Sequence, residues 1–325
     1  MADSAARGGG GPLSFSGPTS PIALGLAALG RPGYLNLGHG DDLGPDRSVE
    51  ALERRTHEVL DAAYEAGVRH FDAARSYGRA EEFLASWLDS RGIEPGAVTV
   101  SSKWGYTYTA DWEVDADPPE VKDLSAATLR RQLAETRAWL DRWLSLYQIH
   151  SATLSSGVLD DAEVLDELAG LREGGVAVGL TTSGTDQGAT IDRALEVGGF
   201  DSVQATYNVL ERAAGPALER AHAAGLRVMV KEALANGRLS PRGGCAPLEA
   251  VARRLGATSD AVAIAAVLAR PWVDTVLSGA ATPEHLRSNL AARELEWSAA
   301  LDEELAGLAE PSARYWATRS DLAWN

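Results

Sequence analysis

Short apolar runs alternate with longer segments of helical spacing along most of this chain. Such alternation is typical of βα units, in which helices connect the strands of a parallel sheet. No linker divides the sequence, and no G-x-G-x-x-G turn follows the first apolar run, which counts against an open dinucleotide-binding sheet. The sequence therefore predicts an α/β fold, a single (β/α)8 TIM barrel with parallel strands and long loops at the active-site mouth.

Eight strands and the helices between them make up the predicted barrel. A helix is predicted to follow Ser125, a suitable N-cap, because apolar residues recur on one helix face between 129 and 143. The predicted strands are residues 22–27, 68–72, 98–103, 144–150, 176–181, 202–206, 227–231 and 275–278. The other predicted helices are residues 55–68, 160–172, 190–197, 215–224, 248–255, 259–269, 283–290 and 301–308.

The two ends of the chain have a different character from the barrel, which we assign to residues 21–325 as one domain. Residues 1–20 combine a run of glycines with Ser, Pro and Asp3, and they lack the apolar core of a signal peptide. They are predicted to form a flexible N-terminal tail, in which residues 14–16 add a lid strand. The C-terminal tail is rich in aromatic residues.

Charge and cysteine content exclude several classes of protein. The formal net charge of −16 argues against a nucleic-acid partner and against an anionic membrane surface. Cys245 is the single cysteine, which excludes an internal disulfide framework and fits a reducing compartment. No apolar stretch reaches the length of a membrane span. We expect a cytoplasmic protein, and a monomer because no heptad or unpartnered apolar helix face stands out.

Polar side chains stand where three neighbouring predicted strands end. Asp72 ends the second strand with Tyr77 just beyond it, Lys103 ends the third strand, and His150 ends the fourth. Active sites of (β/α)8 barrels lie at the carboxyl ends of the strands, so these four residues are expected to converge. Each alone has a structural explanation, such as a helix-capping Asp or a hydrogen-bonded core His. Together they indicate a catalytic site.

The chemistry of this group follows from its ordinary pKa values. A free tyrosine is a poor acid at neutral pH, and we expect the Lys103 ammonium to lower the pKa of Tyr77. Asp72 can supply the counter-charge that a buried Lys103 needs, and His150 can orient a substrate oxygen. The set suits protonation of an oxygen that gains negative charge, as a carbonyl does when it receives hydride. A cofactor must supply that hydride, because no side chain donates one.

Other chemistries fit the sequence less well. The six histidines form no H-x-H or H-E-x-x-H pair, so we expect no metal site. The segment after Gly25 lacks the Lys-Ser/Thr ending of a phosphate-binding loop. Cys245 lies in a glycine-rich loop without a matched base, which favours a structural role over nucleophilic catalysis.

The order of these residues resembles the aldo-keto reductase family. The motifs F-D-A-A-x-x-Y-G, S-K-x-G and Q-I-H carry Asp72, Tyr77, Lys103 and His150 in the family's order. Similar segments extend over residues 20–295, including V-Q-A-T-Y-N at 203–208 and G-A-A-T-P at 279–283. The resemblance implies a carbonyl reductase dependent on NADP(H), with Tyr77 as general acid, Lys103 and Asp72 tuning it, and His150 orienting the carbonyl.

The resemblance also implies a set of cofactor-binding positions along the barrel mouth. Gln204 and Thr181 would hold the nicotinamide carboxamide, and Thr182 stands where the family usually has Asn. The implied cofactor-binding residues are Gly25, Ala27, Thr181, Thr182, Gln204, Lys231, Leu234, Ala235, Gly279, Ala280, Ala281, His285 and Asn289.

Four further positions depart from the family pattern. Lys231 replaces an aromatic residue that commonly stacks on the nicotinamide; it would reach a cofactor phosphate or, as we slightly favour, pair with Glu232 or another acid. Gly279 and His285 stand where many members carry a Lys and an Arg for the 2′-phosphate, although Arg287 is close by. Ser288 replaces a Glu that often contacts adenine. NADP(H) is therefore favoured by the resemblance alone, and NAD(H) remains possible.

Aromatic residues predict a wall over the substrate. Trp104, Tyr106 and Trp112 follow the third strand, within a loop that could instead be an exposed acidic segment. Trp316 lies in the tail that resembles a family loop closing the pocket. Such a pocket suits a small-molecule carbonyl or alcohol substrate, either apolar or sugar-like. The departures at Thr182 and Lys231 leave one alternative: a cofactor-binding regulatory or sensor protein of the same fold with little turnover.

Overall fold

Eight parallel strands close into a barrel in the computed structural model, which describes residues 20–325. The last strand pairs with the first, so the sheet has no free edge. Around the barrel the strands are β1 (Ile22–Gly25), β2 (His70–Asp72), β3 (Thr99–Trp104), β6 (Leu144–Ala152), β7 (Ala177–Thr182), β8 (Ser202–Thr206), β9 (Arg227–Lys231) and β10 (Thr275–Ser278). The prediction of a (β/α)8 barrel is confirmed.

The predicted strands agree with the observed ones within a few residues. The last three predicted strands begin and end at the observed residues, whereas β1 is two residues shorter and β6 two residues longer than predicted. The loop after β3 contains an antiparallel hairpin, β4 (Tyr106–Tyr108) and β5 (Glu120–Lys122). We predicted an irregular acidic or aromatic loop there, because the two strands have three residues each and no continuous apolar run.

Twelve helices surround the barrel within residues 20–325. Three of them were not predicted, namely α1, α3 and α12. They are α1 (His39–Leu43), α2 (Val49–Glu65), α3 (Ala80–Ser90), α4 (Ala126–Leu140), α5 (Ala162–Glu173), α6 (Gln187–Val197), α7 (Gly215–Ala223), α8 (Ala246–Leu255), α9 (Ser259–Leu268), α10 (Pro283–Leu290), α11 (Ala299–Ala306) and α12 (Ser312–Ser320).

Local sequence explains where two of the predicted helices begin. Ser125 caps α4 as expected, since its side chain accepts a hydrogen bond from the amide of Thr128. Ser48 caps α2 in the same way through the amide of Ala51, so α2 begins six residues before the predicted start. The predicted tail and the lid strand at residues 14–16 lie outside the described residues, apart from Ser20, which hydrogen-bonds the carbonyl of Ile22.

Two apolar clusters position the mouth of the barrel. The larger one fills the space between strands and helices, with Phe71, Trp87 and Tyr147 among its fully buried members. The smaller cluster joins α8, α9, α11 and α12, where Tyr315 and Leu305 are buried together. This packing fixes the C-terminal segment against the barrel. Within residues 20–325 no helix has the length and apolar character that crossing a bilayer requires.

Candidate active site

A buried ion pair stands at the carboxyl ends of β2 and β3. The Lys103 ammonium donates to a carboxylate oxygen of Asp72, and both side chains are at most 2% exposed. Lys103 also donates to the carbonyl oxygen of Ala73 at 2.9 Å, and Ser101 donates to Asp72 Oδ1 at 2.6 Å. A buried pair is tolerated when further hydrogen bonds satisfy both charges, as they do here.

A second layer of polar groups supports this ion pair from inside the barrel. Gln148 Nε2 lies 3.3 Å from Asp72 Oδ1, and His70 Nε2 lies 2.9 Å from Ser101 Oγ. Because the hydroxyl proton of Ser101 is directed to Asp72, His70 acts as the donor toward Ser101. Burial lowers the pKa of His70 to about 4, so its ring is neutral at pH 7. The hydrogen bonds from Gln148 and Ser101 in the barrel interior therefore orient Asp72.

Tyr77 lies on the turn that follows β2, and backbone contacts fix its position. The amide of Arg79 donates to the carbonyl of Gly30 at 2.8 Å, which joins this turn to the loop after β1. A Cβ atom at Gly30 would stand 2.2 Å from the carbonyl oxygen of Tyr77, so only glycine permits this approach. Gly78 has a φ of 58°, a left-handed conformation that glycine adopts readily.

The Tyr77 ring contacts two of the three other members of the predicted catalytic group, Lys103 and His150. The Lys103 ammonium lies 4.8 Å from the ring centroid, and the His150 ring packs edge-on at 5.6 Å. Burial raises the pKa of Tyr77, and the Asp72 carboxylate adds to the effect. The prediction that Lys103 lowers the pKa of Tyr77 is therefore wrong, because the Lys103 charge is balanced by Asp72. Tyr77 is a fully protonated phenol at neutral pH.

His150 lies on β6, at the barrel mouth, and is uncharged. Burial lowers its pKa well below the ordinary value, and the nearby charges of Lys103 and Lys231 act in the same direction. Its Nδ1 atom has no hydrogen-bond partner among residues 20–325. The Tyr106 ring packs edge-on against it at 4.9 Å. A neutral imidazole in this position can donate one hydrogen bond without adding charge.

The charge state of His150 can be tested directly. We expect its ring nitrogen resonances to stay those of a neutral imidazole from pH 8 down to pH 5.5, because protonation would place a third cation beside Lys103 and Lys231. Nitrogen-15 NMR of the labelled protein, with His150→Gln for assignment, measures this. A titration midpoint near 6.5 would contradict it.

A cavity of about 810 Å³ opens above the barrel and contains most of the predicted site. Asp72, Tyr77 and His150 line it, and Lys103 lies behind Asp72 without reaching the surface. The cavity continues from these strands across the barrel to α10. The predicted cofactor-binding residues that line it are Gly25, Ala27, Gln204, Lys231, Leu234, Gly279, Ala280, His285 and Asn289.

Thr181 and Thr182 do not line the cavity. Thr181 Oγ1 accepts the amide of Ser151 at 2.7 Å, and Thr182 Oγ1 donates to Gln187 at 3.3 Å, so both hydroxyls bind other parts of the protein. Ser183, the next residue, lines the cavity instead. Ala235 and Ala281 are also buried away from it.

Of the four residues predicted to form the aromatic wall, Tyr106 alone lines the cavity. Lys103 faces the barrel interior, and strand alternation turns its neighbour Trp104 the opposite way, where it is fully buried. Trp112 packs edge-on to Phe83 and donates to the carbonyl of Arg47. Trp316 is buried against Tyr315, because α12 turns its apolar face toward the smaller cluster.

A different group covers the cavity beside Tyr77. Arg31 is 3% exposed, and its guanidinium lies 5.3 Å from the ring centroids of Tyr34 and Tyr77 and 4.6 Å from that of Trp324. It forms an ion pair with Glu120 of β5 at 3.0 Å. This group was not predicted from the sequence, although the rule that loops at the strand ends carry function could have indicated Arg31.

The C-terminal segment closes over this end of the cavity. The amide of Tyr34 donates to the carbonyl of Asn325, and the Asn325 side chain accepts the amide of Gly40 at 2.9 Å. Arg319 of α12 makes a bidentate ion pair with Glu232, which follows β9. These contacts agree with the expectation that the tail covers the pocket.

The residues of this cavity fit a dinucleotide cofactor. Gln204 Nε2 and Asn289 Oδ1 have no partner among residues 20–325, so they remain available to a ligand. A Cβ atom at Gly279 would meet no atom within 4 Å, which leaves open space on the cavity wall. The described residues contain no cluster of potential ligands that could hold a metal ion, and the polar groups here suit an organic cofactor.

Comparisons with known proteins agree with this geometry. The sequence matches the model of the Aldo/keto reductase family over residues 22–308. A protein from Pseudomonas aeruginosa assigned to the aldo-keto reductases has a structure with a TM-score of 0.63 and 27% identity, covering 87% of this chain and 93% of that one. The glycerol dehydrogenase AKR11B4 from Gluconobacter oxydans shares the fold, with a TM-score of 0.69 and 21% identity over 90% of this chain and 91% of its own.

One curated relative matches over a shorter stretch. Aldo-keto reductase str7 from Strobilurus tenacellus is 33% identical over 109 residues. This match covers 34% of the present chain and 28% of that protein.

Proposed function

The chain belongs to the aldo/keto reductase family, and from this premise we propose that it reduces an aldehyde or ketone to an alcohol, or catalyses the reverse oxidation. A nicotinamide cofactor supplies or accepts the hydride. Tyr77 gives the proton to the carbonyl oxygen, and His150 donates the hydrogen bond that orients this oxygen. The buried Asp72–Lys103 pair carries the proposal, because its ammonium lies 4.8 Å from the ring of Tyr77, a protonated phenol that lines the cavity beside the neutral His150.

The proton transfer follows from the charges around Tyr77. Its hydroxyl donates to no residue within 20–325, so it is free to meet a substrate oxygen. Burial keeps the proton on the phenol until that oxygen gains negative charge. The Lys103 ammonium, 4.8 Å from the ring, then stabilises the phenolate that forms. His150 adds a donor without bringing another cation to the site.

Binding of the cofactor involves both sides of the cavity. Gln204, between β7 and β9 in the sheet, offers its side-chain amide to the carboxamide, and the open wall at Gly279 leaves room for the rest of the molecule. Since the nicotinamide ring of the cofactor belongs beside Tyr77, the adenosine end of the cofactor lies toward α10, on the opposite side of the barrel. The residues there decide between NADP(H) and NAD(H).

Charges near α10 favour NAD(H), in contrast to the family habit that favours NADP(H). Arg242 is the single arginine that lines this end among the described residues, and Asp42 already holds it with two hydrogen bonds. Asp260, which is buried in the first turn of α9, and Glu284 add negative charge to the same wall. An additional phosphate would therefore meet acids and a paired cation.

We expect Asp42→Asn to strengthen NADPH binding by roughly fivefold, about 1 kcal/mol, because it frees Arg242 for the 2′-phosphate. NADH carries no such phosphate, so its affinity should change less than twofold. Titration of nicotinamide fluorescence measures both affinities. Glu94→Gln, a change of the same kind at an exposed acid remote from the cavity, is the control. Equal effects on the two dinucleotides would contradict this account.

The proposed activity is tested by binding and turnover together. The purified protein is titrated with NADH and NADPH, and then mixed with a panel of aromatic and aliphatic aldehydes. We expect tight binding of at least one dinucleotide and aldehyde-dependent oxidation of it. Binding without any turnover would instead point to the regulatory protein considered above, and no binding at all would leave the family relationship as one of fold.

A further inference from the structure

Lys231 shares its nearest carboxylate with a second cation, Arg319. It ends β9 on the wall of the cavity, and its side chain is 18% exposed. Its ammonium donates no hydrogen bond to any residue in the described part of the chain, and the nearest acid, Glu232, is 3.9 Å away. Three donor protons are therefore open to a ligand.

The predicted ion pair between Lys231 and Glu232 is present at 3.9 Å, but the hydrogen bonds of Glu232 go to other groups. Arg319 approaches both of its carboxylate oxygens, at 2.6 Å for Oε1 and 3.1 Å for Oε2. Thr206 donates to Oε2 at 3.1 Å. Although burial raises the pKa of Glu232, the charges of Lys231 and Arg319 and these hydrogen bonds lower it to about 2. One carboxylate thus faces two cations, which leaves a net positive charge beside Lys231.

The other cations that line the cavity each have an acid within hydrogen-bond distance. Arg31 pairs with Glu120, and Arg242 pairs with Asp42, as Arg319 does with Glu232. Lys231 is the exception among the cavity-lining residues of 20–325. The donor protons of Lys231 can therefore meet an anionic group of a ligand in this cavity.

Lys231 lines the same cavity as Tyr77 and His150. The charge of Lys231 contributes to the low pKa of His150, and the charge of Lys103 in turn lowers the pKa of Lys231. Burial is the larger influence on Lys231 and lowers its pKa to about 8, so the amine is mostly protonated at pH 7. An ammonium with open donors in a partly dehydrated pocket binds carboxylate or phosphate oxygens strongly.

We propose that Lys231 binds an oxyanion group of the ligand that occupies the catalytic end of the cavity. Two ligands can carry such a group: a carbonyl substrate with a carboxylate near its reacting carbon, or the cofactor through a phosphate. The proposal rests on the proposed function, since both ligands belong to that reaction. It assigns Lys231 to substrate selection in the first case and to cofactor binding in the second.

Binding measurements distinguish the two sources. Calorimetry compares phenylacetate with its neutral analogue phenylacetamide, and fluorescence measures NADH and NADPH, for the parent and for Lys231→Met. If the substrate supplies the anion, Lys231→Met lowers the affinity for phenylacetate at least tenfold and changes the affinity for phenylacetamide by less than twofold. If the cofactor supplies it, Lys231→Met lowers the affinity for both dinucleotides at least tenfold. The affinities for phenylacetate and phenylacetamide then change by the same factor.

Two further variants keep the test decisive. Lys231→Arg retains a cation and should keep most of the affinity that Lys231→Met loses. Lys122→Met removes a lysine that bonds the carbonyl of Ser151 and does not line the cavity, so it should change neither affinity. A thermal melt checks that each variant is folded, and Lys231→Gln replaces Lys231→Met if the latter is not.

The proposal is overturned if a folded Lys231→Met or Lys231→Gln protein binds all four ligands as the parent does. It is equally overturned if Lys122→Met has the same effect as Lys231→Met. Reduction of a neutral aldehyde by the parent protein is measured separately and reports on the proposed function. If the parent reduces the aldehyde and Lys231→Met changes the affinity for neither the small ligands nor the dinucleotides, only the role of Lys231 is contradicted.

Discussion

Tyr77→Phe is expected to lower carbonyl reduction by at least roughly 10²–10³-fold, because it removes the proposed proton donor and keeps the ring. Cofactor affinity should remain within a few-fold. The Tyr77 hydroxyl bonds no residue in the described part of the chain, so its loss costs the fold little. The ring contacts with Lys103 and His150 persist in phenylalanine.

The measurement is a single-turnover assay with a saturating aldehyde, together with a fluorescence titration of the cofactor. Tyr106→Phe is the matched control, since Tyr106 also lines the cavity beside His150 but has no contact with Lys103. We expect this control to change the rate by less than about tenfold. A Tyr77→Phe protein that reduces aldehydes as fast as its parent would exclude Tyr77 as the acid.

Lys103→Met is expected to impair both catalysis and folding. The rate should fall by orders of magnitude, roughly 10²-fold or more, because a cation that stabilises the developing phenolate is removed. The free energy of unfolding should fall by about 3–5 kcal/mol, because Asp72 is left buried without its counter-charge. Asp72 is 2% exposed, so water cannot compensate for the loss.

A double variant separates these two effects. Combining Lys103→Met with Asp72→Asn removes both charges and should recover most of the stability in urea unfolding, because an uncharged amide can be satisfied by Ser101 and Gln148. The reduction rate should stay low. If the single variant unfolds like the parent, Lys103 and Asp72 do not form the tight pair described here. If the double variant regains the parent rate, the pair has no role in proton transfer.

The barrel could be predicted from sequence because strands such as β1, β9 and β10 contain short apolar runs that are buried on both faces. The strand at 227–231, for example, needs no partner to be recognised, since its apolar centre is flanked by a glycine turn and by charged residues. Helix α3 was missed although Ala80, Phe83 and Leu84 follow helical spacing. Its eleven residues directly follow the Tyr77 turn. A short helix in that place is hard to distinguish from a loop by its composition.

The catalytic group could also be predicted, because chain position alone brings strand ends together in a closed barrel. Side-chain direction was harder to predict. Trp104 follows Lys103 directly, yet strand alternation turns it into the core. Thr182 matches a family position by alignment, yet its hydroxyl bonds Gln187. The pair between Glu232 and Arg319 joins residues 87 apart in sequence, which no local pattern indicates.

The interlock of Gly30 with the Tyr77 turn has a consequence for protein engineering. The Tyr77 phenol, the proposed proton donor, is held at its base by main-chain contacts and by Arg31, whose guanidinium donates to the carbonyl oxygen of Ser76 at 2.9 Å. Tyr34 and Trp324 pack against Arg31 and bind no part of this turn. Libraries that vary Tyr34 and Trp324 can therefore explore new substrates while the proposed proton donor stays in register. A bulkier residue at Gly30 would displace the donor itself, and a shift of about 1 Å is enough to cost roughly 10²-fold in rate. Selectivity and turnover are thus separable targets in this scaffold.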